Sequence, residues 1–164
     1  MKIFESLDKV SNEEMESKIL KKWKSEDILN KTIENRKNSK NFVFYDGPIY
    51  ANAKPGIHHV FAKTIKDSIC KYRTMKGNRV LRKIGLDTHG LPIEVNVEKK
   101  LGFKSKADIE KFGIENFCKE CNKETATNID IVKKVTDQMG QFIDMENPYI
   151  TCSNEFIESE WWLI

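Results

Sequence analysis

Apolar and polar positions follow two rhythms along this chain. Residues 11–34 keep a helical one: Ser11 and Glu14 stand at capping-box spacing, and Met15, Ile19 and Trp23 follow every fourth residue. Ser25 is placed to cap a second stretch running into Ile28, Leu29 and Ile33. The polar run Asn35–Lys40 breaks the pattern. Phe42–Tyr45 is then an unbroken apolar, aromatic run, which predicts a short buried strand. A loop holding Asp46, Pro48, Asn52, Pro55 and Gly56 comes next, and Pro55 and Gly56 exclude helix before that point. From His58 the helical rhythm returns, with Phe61, Ile65, Ile69 and Tyr72 on one face and Gly77 as terminator. Arg79–Leu86 predicts a second strand, weakened by its arginine and lysine residues.

Strand, loop, helix and strand in this order form the unit of a parallel sheet, so the fold class is α/β. Such units join right-handedly and bind ligands at the carboxyl ends of their strands. The loops 46–59 and 87–92 both follow strands and are predicted to lie side by side. Beyond Pro92 the chain reads as mainly helical. Ser105 and Asp108 cap a short helix, and residues 116–139 space Phe117, Cys121, Ile129, Val132, Val135 and Met139 along another. Pro148 and Tyr149–Cys152 predict an extended piece, and a helix restarts over Glu155–Ile164 with Trp161 and Trp162. One βαβ unit supplies only two parallel strands, and parallel sheets need cover on both faces, so the chain reads as cut from a larger fold. Residues 1–40 are expected to form a helical extension and 41–164 the nucleotide-binding unit.

Composition narrows the picture little. Hydrophobic residues make up 39% and charged residues 32% of 164 residues, an ordinary soluble balance. A net charge of +3 is too small to mark a nucleic-acid binder by itself. No apolar run approaches the roughly 20 residues of a membrane helix. The N-terminal MKIFESLDKVSNEE lacks the apolar core of a secretory signal, so the expected location is the cytoplasm, away from membranes. Cys118 and Cys121 form a lone C-x-x-C with no second pair, and reduced thiols are expected there rather than zinc.

The chemistry concentrates in two segments, DGPIYANAKPGIHHVFAKTIKD and GLDTHGLPIE, which hold all three histidines: His58, His59 and His89. Gly56-Ile57-His58-His59 lies where a loop meets a helix N-terminus, where backbone N–H groups favour phosphate and an imidazole adds a donor. The alternative is that His59 only caps or packs its helix.

The first segment resembles the His-Ile-Gly-His signature region of the class I aminoacyl-tRNA synthetases. DGP, YAN, IKD, YRTMKG, DTHGLPIE, MENPYIT and FIESEWW are similar to the isoleucyl members in particular. The resemblance runs from about Phe42 to the last residue. It implies a partial Rossmann-like synthetase fold, its first βαβ unit flanked by N-terminal and C-terminal helices and truncated before the editing domain. It further implies ATP, entering with Mg²⁺ as the substrate complex, held by Asn52, Pro55, Gly56, His58 and His59, with His58 and His59 as the catalytic pair. By the same resemblance Pro48 lines the isoleucine side chain and Asp87 binds the amino-acid ammonium, for which a carboxylate is a strong charge-assisted partner. The alternative for Asp87 is a cap on the helix near Pro92. The implied partners are isoleucine, ATP and tRNA(Ile), with a separately encoded downstream half where the enzyme is split.

The chain departs from the family pattern in places. The signature's first histidine falls on Gly56 and its glycine on His58. Ile49 replaces a proline, Ala53 a glycine and Leu86 a tryptophan, changes that read as clustering around the substrate pocket. No Lys-Met-Ser-Lys-Ser element occurs in these residues, so the 164-residue chain alone is expected not to charge tRNA. The competing reading is a synthetase-like ATP-binding module or an inactive remnant.

Overall fold

The computed structural model describes residues 11–164; the expectation of a helical extension over 1–40 lies outside the described residues for its first ten positions. Helix α1 (Asn12–Ser25) opens on the expected capping box, with the Glu14 N–H donating to Ser11 Oγ and the Ser11 N–H to Glu14 Oε2, both at 3.2 Å. Helix α2 (Ile28–Glu34) is not capped by Ser25, whose hydroxyl donates back to Lys22 O. Its N-cap is Asp27, in the left-handed region at φ 50°. The sharp turn between the two helices needs that conformation, which a short polar side chain tolerates.

A three-stranded parallel sheet follows, in the order β1-β2-β3. Strand β1 is Ile49–Tyr50, β2 is Lys83–Asp87 and β3 is Asp144–Ile150. Helix α3 (Ile57–Met75) crosses from β1 to β2. Helices α4 (Leu91–Leu101), α5 (Lys106–Phe112) and α6 (Ile114–Gln138) form the crossover from β2 to β3, and α7 (Asn154–Leu163) follows. The parallel unit expected from the sequence is present, with two corrections. The first strand does not lie at 42–46. There the chain meets its neighbour only at the bridge Asn41↔Arg79, where the Phe42 N–H donates to Arg79 O at 2.9 Å. Val43 and Tyr45 are 68% and 89% exposed. The ladder resumes at Ile49 because the Asp46 carbonyl is taken by the Tyr149 hydroxyl and Pro48 has no N–H to donate. The sheet also has a third strand, β3, of which the expected extended piece at Tyr149–Cys152 is only the end. The charged residues around Asp144–Asn147 hid its start from an apolar pattern.

Helix α3 presents the reverse of its expected face. Phe61, Ile65, Ile69 and Tyr72 are 47–68% exposed, whereas Lys63, Asp67, Cys70 and Thr74 are buried. Two carboxylates make this possible. Asp46 accepts from Lys63 Nζ at 3.2 Å and Lys66 Nζ at 2.7 Å. Asp67 pairs with Lys71 at 2.6 Å and accepts from the Phe142 N–H at 3.0 Å. Arg82 of the segment leading into β2 lies 3.6 Å from Asp67 and donates to Phe142 O, Cys70 O and Thr74 Oγ1. A strand that looked weak because of its arginine is held by it. The apolar core is a separate cluster: Ile49, Ile84, Leu86, Val132 of α6 and Ile143 are buried together, with Ile129, Met145 and Ile150 against them.

Candidate active site at the strand ends

The carboxyl ends of all three strands meet at one edge, and hydrogen bonds tie the loops that leave them. Beyond β1, the Ala51 N–H donates to Asp87 O at 2.7 Å. The Tyr50 hydroxyl donates to the His89 carbonyl, and Asn96 of α4 donates to Asn52 O at 2.8 Å. Beyond β3, the Thr151 N–H donates to Leu86 O at 3.1 Å. The two loops expected to adjoin do adjoin, and a third loop, at 151–153, adjoins them.

The start of α3 is built from Gly56-Ile57-His58-His59. Gly56 is the N-cap, and its N–H donates to His59 Nδ1 at 3.1 Å. His59 therefore does cap its helix. Burial first, then the neighbouring His58 and Lys63, hold the His59 ring below its usual pKa of 6.5. A neutral ring whose Nδ1 accepts must carry its hydrogen on Nε2, so capping fixes His59 as an Nε2–H donor. His58 packs against it at a tilt of 40°, ring centroids 3.9 Å apart, and is the more exposed of the two. A Cβ at position 56 would lie 2.8 Å from His58 Cε1. Glycine at 56 and histidine at 58 are thus a matched pair: the His58 ring occupies the space a side chain at 56 would need. Pro55 and Asn52 are half-buried in the same loop.

Asp87 ends β2, half-buried, and is no helix cap; the N-cap of α4 is Gly90, at φ 93°. The Thr151 hydroxyl donates to Asp87 Oδ1 at 3.3 Å. Burial first, then Asp87 and Glu94, push the Tyr50 phenol above its usual pKa, so the phenol stays protonated beside both carboxylates. Pro48 is exposed just before β1. Two of the three departures expected to cluster in the substrate pocket are core positions instead. Ile49 and Leu86 are register partners in the β1–β2 ladder, 6% and 0% exposed. Their exchange repacks one cross-strand pair; Ala53 is on the surface.

Sequence reasoning missed Thr151, Tyr50 and Asn96. Thr151 had a usable signal, since it follows the apolar Tyr149-Ile150 as loop residues follow strands, but β3 was not recognised as a paired strand. Among the described residues no group of three His, Cys, Asp or Glu side chains converges on one point. Cys118 is exposed on α6, and the thiol of Cys121 is pushed up to about 11, by burial first and by Glu94 next.

The family model for tRNA synthetases class I (I, L, M and V) matches residues 18–164. An isoleucine–tRNA ligase of Clostridium kluyveri is 47% identical over 151 residues, covering 92% of this chain and 15% of the relative. Isoleucine–tRNA ligase 2 of Bacillus cereus is 44% identical over 149 residues, covering 91% of this chain and 14% of the relative. The chain therefore spans about 15% of the length of the curated relatives it matches. Among solved structures, a LeuRS–tRNA–LeuAMS ternary complex from Agrobacterium radiobacter K84 aligns with a TM-score of 0.67 at 23% identity, over 90% of this chain and 16% of that one. At that identity the likeness concerns the fold alone.

Proposed function

The chain belongs to the class I tRNA synthetases of the I, L, M and V group, and from that membership we propose that it forms the opening part of an isoleucine–tRNA ligase catalytic domain, binding ATP and isoleucine for amino-acid activation. The observation that carries this reading is the junction of strand ends, where the helix start bearing His58 and His59 and the strand end bearing Asp87 are tied through Ala51.

In the proposed reaction the isoleucine carboxylate attacks the α-phosphorus of ATP and pyrophosphate leaves with Mg²⁺. Catalysis of this kind rests on positioning and on donors aimed where phosphate charge develops. The N–H groups at the start of α3, His59 Nε2–H and the His58 ring supply such donors, with Asn52, Pro55 and Gly56 shaping the loop against the nucleotide. Asp87 takes the isoleucine ammonium, and Pro48 flanks its side chain. Isoleucine and valine differ by one methylene, worth about 1–3 kcal/mol, so this pocket alone separates them modestly. Transfer to tRNA(Ile) belongs to the complete enzyme, for which we propose a cytoplasmic location, with residues 41–164 contributing to the catalytic domain and 1–40 preceding it.

The test is calorimetric titration of the chain with ATP and with a non-hydrolysable isoleucyl-adenylate analogue. Losing a hydrogen bond to a charged group costs roughly ten- to a hundredfold in affinity. Asp87→Asn is expected to weaken the analogue to that extent and leave ATP unchanged, whereas His59→Ala weakens both. Analogue binding that survives both substitutions refutes the proposal.

A further inference from the structure

Thr151 lies outside both signature loops, yet its hydroxyl has more polar neighbours than any residue within them. It is 4% exposed. Its oxygen accepts from the Thr88 N–H at 3.0 Å and lies 2.7 Å from His89 Nδ1, 3.3 Å from Asp87 Oδ1 and 3.3 Å from Thr88 Oγ1. Thr88 is held in turn, its own hydroxyl accepting from the Cys152 N–H at 3.1 Å.

A hydroxyl has one hydrogen and two lone pairs, and this limit decides the arrangement. The Thr88 N–H uses one lone pair. An ionised carboxylate can only accept, so Asp87 takes the hydrogen. One lone pair remains, and His89 Nδ1 at 2.7 Å is the nearest group to fill it. The imidazole must then carry its hydrogen on Nδ1. Thr88 Oγ1, at 3.3 Å, is the more distant competitor for that lone pair.

Resting on the reading of Asp87 as the ammonium-binding carboxylate, we propose that Thr151 is a positioning residue: its hydroxyl links His89 Nδ1–H to Asp87 Oδ1, fixing the carboxylate's orientation and the histidine's tautomer together. The link has a chemical consequence. With Oδ1 occupied, Asp87 offers Oδ2 to a substrate ammonium, and His89 in this tautomer keeps Nε2 as a bare acceptor. The groups that Thr151 orients are therefore acceptors, which suit an ammonium and disfavour a carboxylate. His59, by contrast, is fixed as an Nε2–H donor by its helix cap. Two histidines of one edge are thus held in opposite tautomers, one matched to a cation and the other to phosphate.

The experiment is ring nitrogen NMR of the ¹⁵N-labelled chain at about pH 8, above the ordinary imidazole titration; only His58, His59 and His89 contribute. His89 is expected as the Nδ1–H tautomer in the wild type and in Thr151→Ser, and to lose that preference in Thr151→Val. Isoleucine titration of the same samples is expected to weaken about tenfold in Thr151→Val only, the loss of one hydrogen bond to a charged group. An Nε2–H tautomer in the wild type overturns the proposal, even if the valine variant fails to fold. So does an unchanged His89 signal in a folded Thr151→Val. If the tautomer is as stated but the wild type gives no response to isoleucine, the link stands and the substrate reading of Asp87 falls.

Discussion

Replacing Arg82 and Asp67 singly and together tests whether a buried charge pair fastens α3 to the sheet. Arg82 is 5% exposed and Asp67 9%. Burial, the largest influence, lowers the guanidinium pKa from its usual value, but an arginine in a folded protein still does not shed its proton. In Asp67→Asn that charge stays buried without a counter-ion, and breaking such a pair costs about 3–5 kcal/mol. Arg82→Met keeps most of the stem's packing but strips the donor from Phe142 O, while Cys70 O retains its bond from Thr74 Oγ1. Asp67 keeps Lys71 and the Phe142 N–H in that variant. One orphaned carbonyl and one lost charge-assisted bond amount to about 3 kcal/mol. In the double variant no guanidinium remains to be stranded, so the total is expected near 4 kcal/mol, about 2–4 kcal/mol less than the sum of the singles. Each single change is a large share of a domain stability of about 5–15 kcal/mol. Urea unfolding followed by far-ultraviolet circular dichroism measures all four chains. Additivity to within about 0.5 kcal/mol would sink the argument, since it would mean that the two groups do not share one site.

Three further outcomes are expected. The folded-state pKa of His59 is depressed below 6.5, so its contribution to stability is complete above that pH and is lost as pH falls through the lower folded value. The difference in unfolding free energy between wild type and His59→Ala should shrink over that window, and a constant difference would mean that protonation does not disturb the Gly56 cap. Gly85→Ala would place a Cβ 2.1 Å from Tyr149 Cζ and Oη, so the ring must leave Asp46 O; a loss of roughly 3 kcal/mol is expected from overpacking, and an unchanged melting temperature would contradict the close approach. Iodoacetamide at neutral pH, read by mass spectrometry, should label exposed Cys118 and Cys152 well before Cys121, whose pKa lies at about 11; equal rates would show an accessible, ordinary thiol.

The helices were the most legible part of the sequence, because capping pairs such as Ser11 with Glu14 and Ser105 with Asp108 mark their starts locally. The adjoining loops were legible from the order of strands and from the rule that ligands gather at strand ends. The strand at Phe42–Tyr45 was not, because four apolar residues predict burial but cannot say which backbone has a free ladder partner. Strand β3 was missed since Asp144, Glu146 and Asn147 break any apolar rhythm, while its pairing with Lys83–Leu86 depends on residues far away in sequence. The link through Thr151 was out of reach for a related reason: following an apolar pair marks it at most as a loop residue, and its role comes from the register that sets it beside Thr88. Ile49 and Leu86 looked like changes in a pocket because their neighbours in sequence are site residues; period-two alternation turns them the other way, into the core.

The inward polarity of α3 also bears on the order in which the molecule assembles. Collapse rewards apolar surface wherever it is buried, and for α3 that pull acts on the face that ends outermost. Correct seating depends on partners distant along the chain: Asp46 lies 17 residues from Lys63, Phe142 lies 60 from Arg82 and 75 from Asp67. Such closures carry their entropy cost before any contact repays it. Helix α3 should thus wind early and dock late. In a kinetic experiment, changes at Asp67 and Arg82 would then mainly accelerate unfolding and leave the refolding limb of the chevron nearly unmoved.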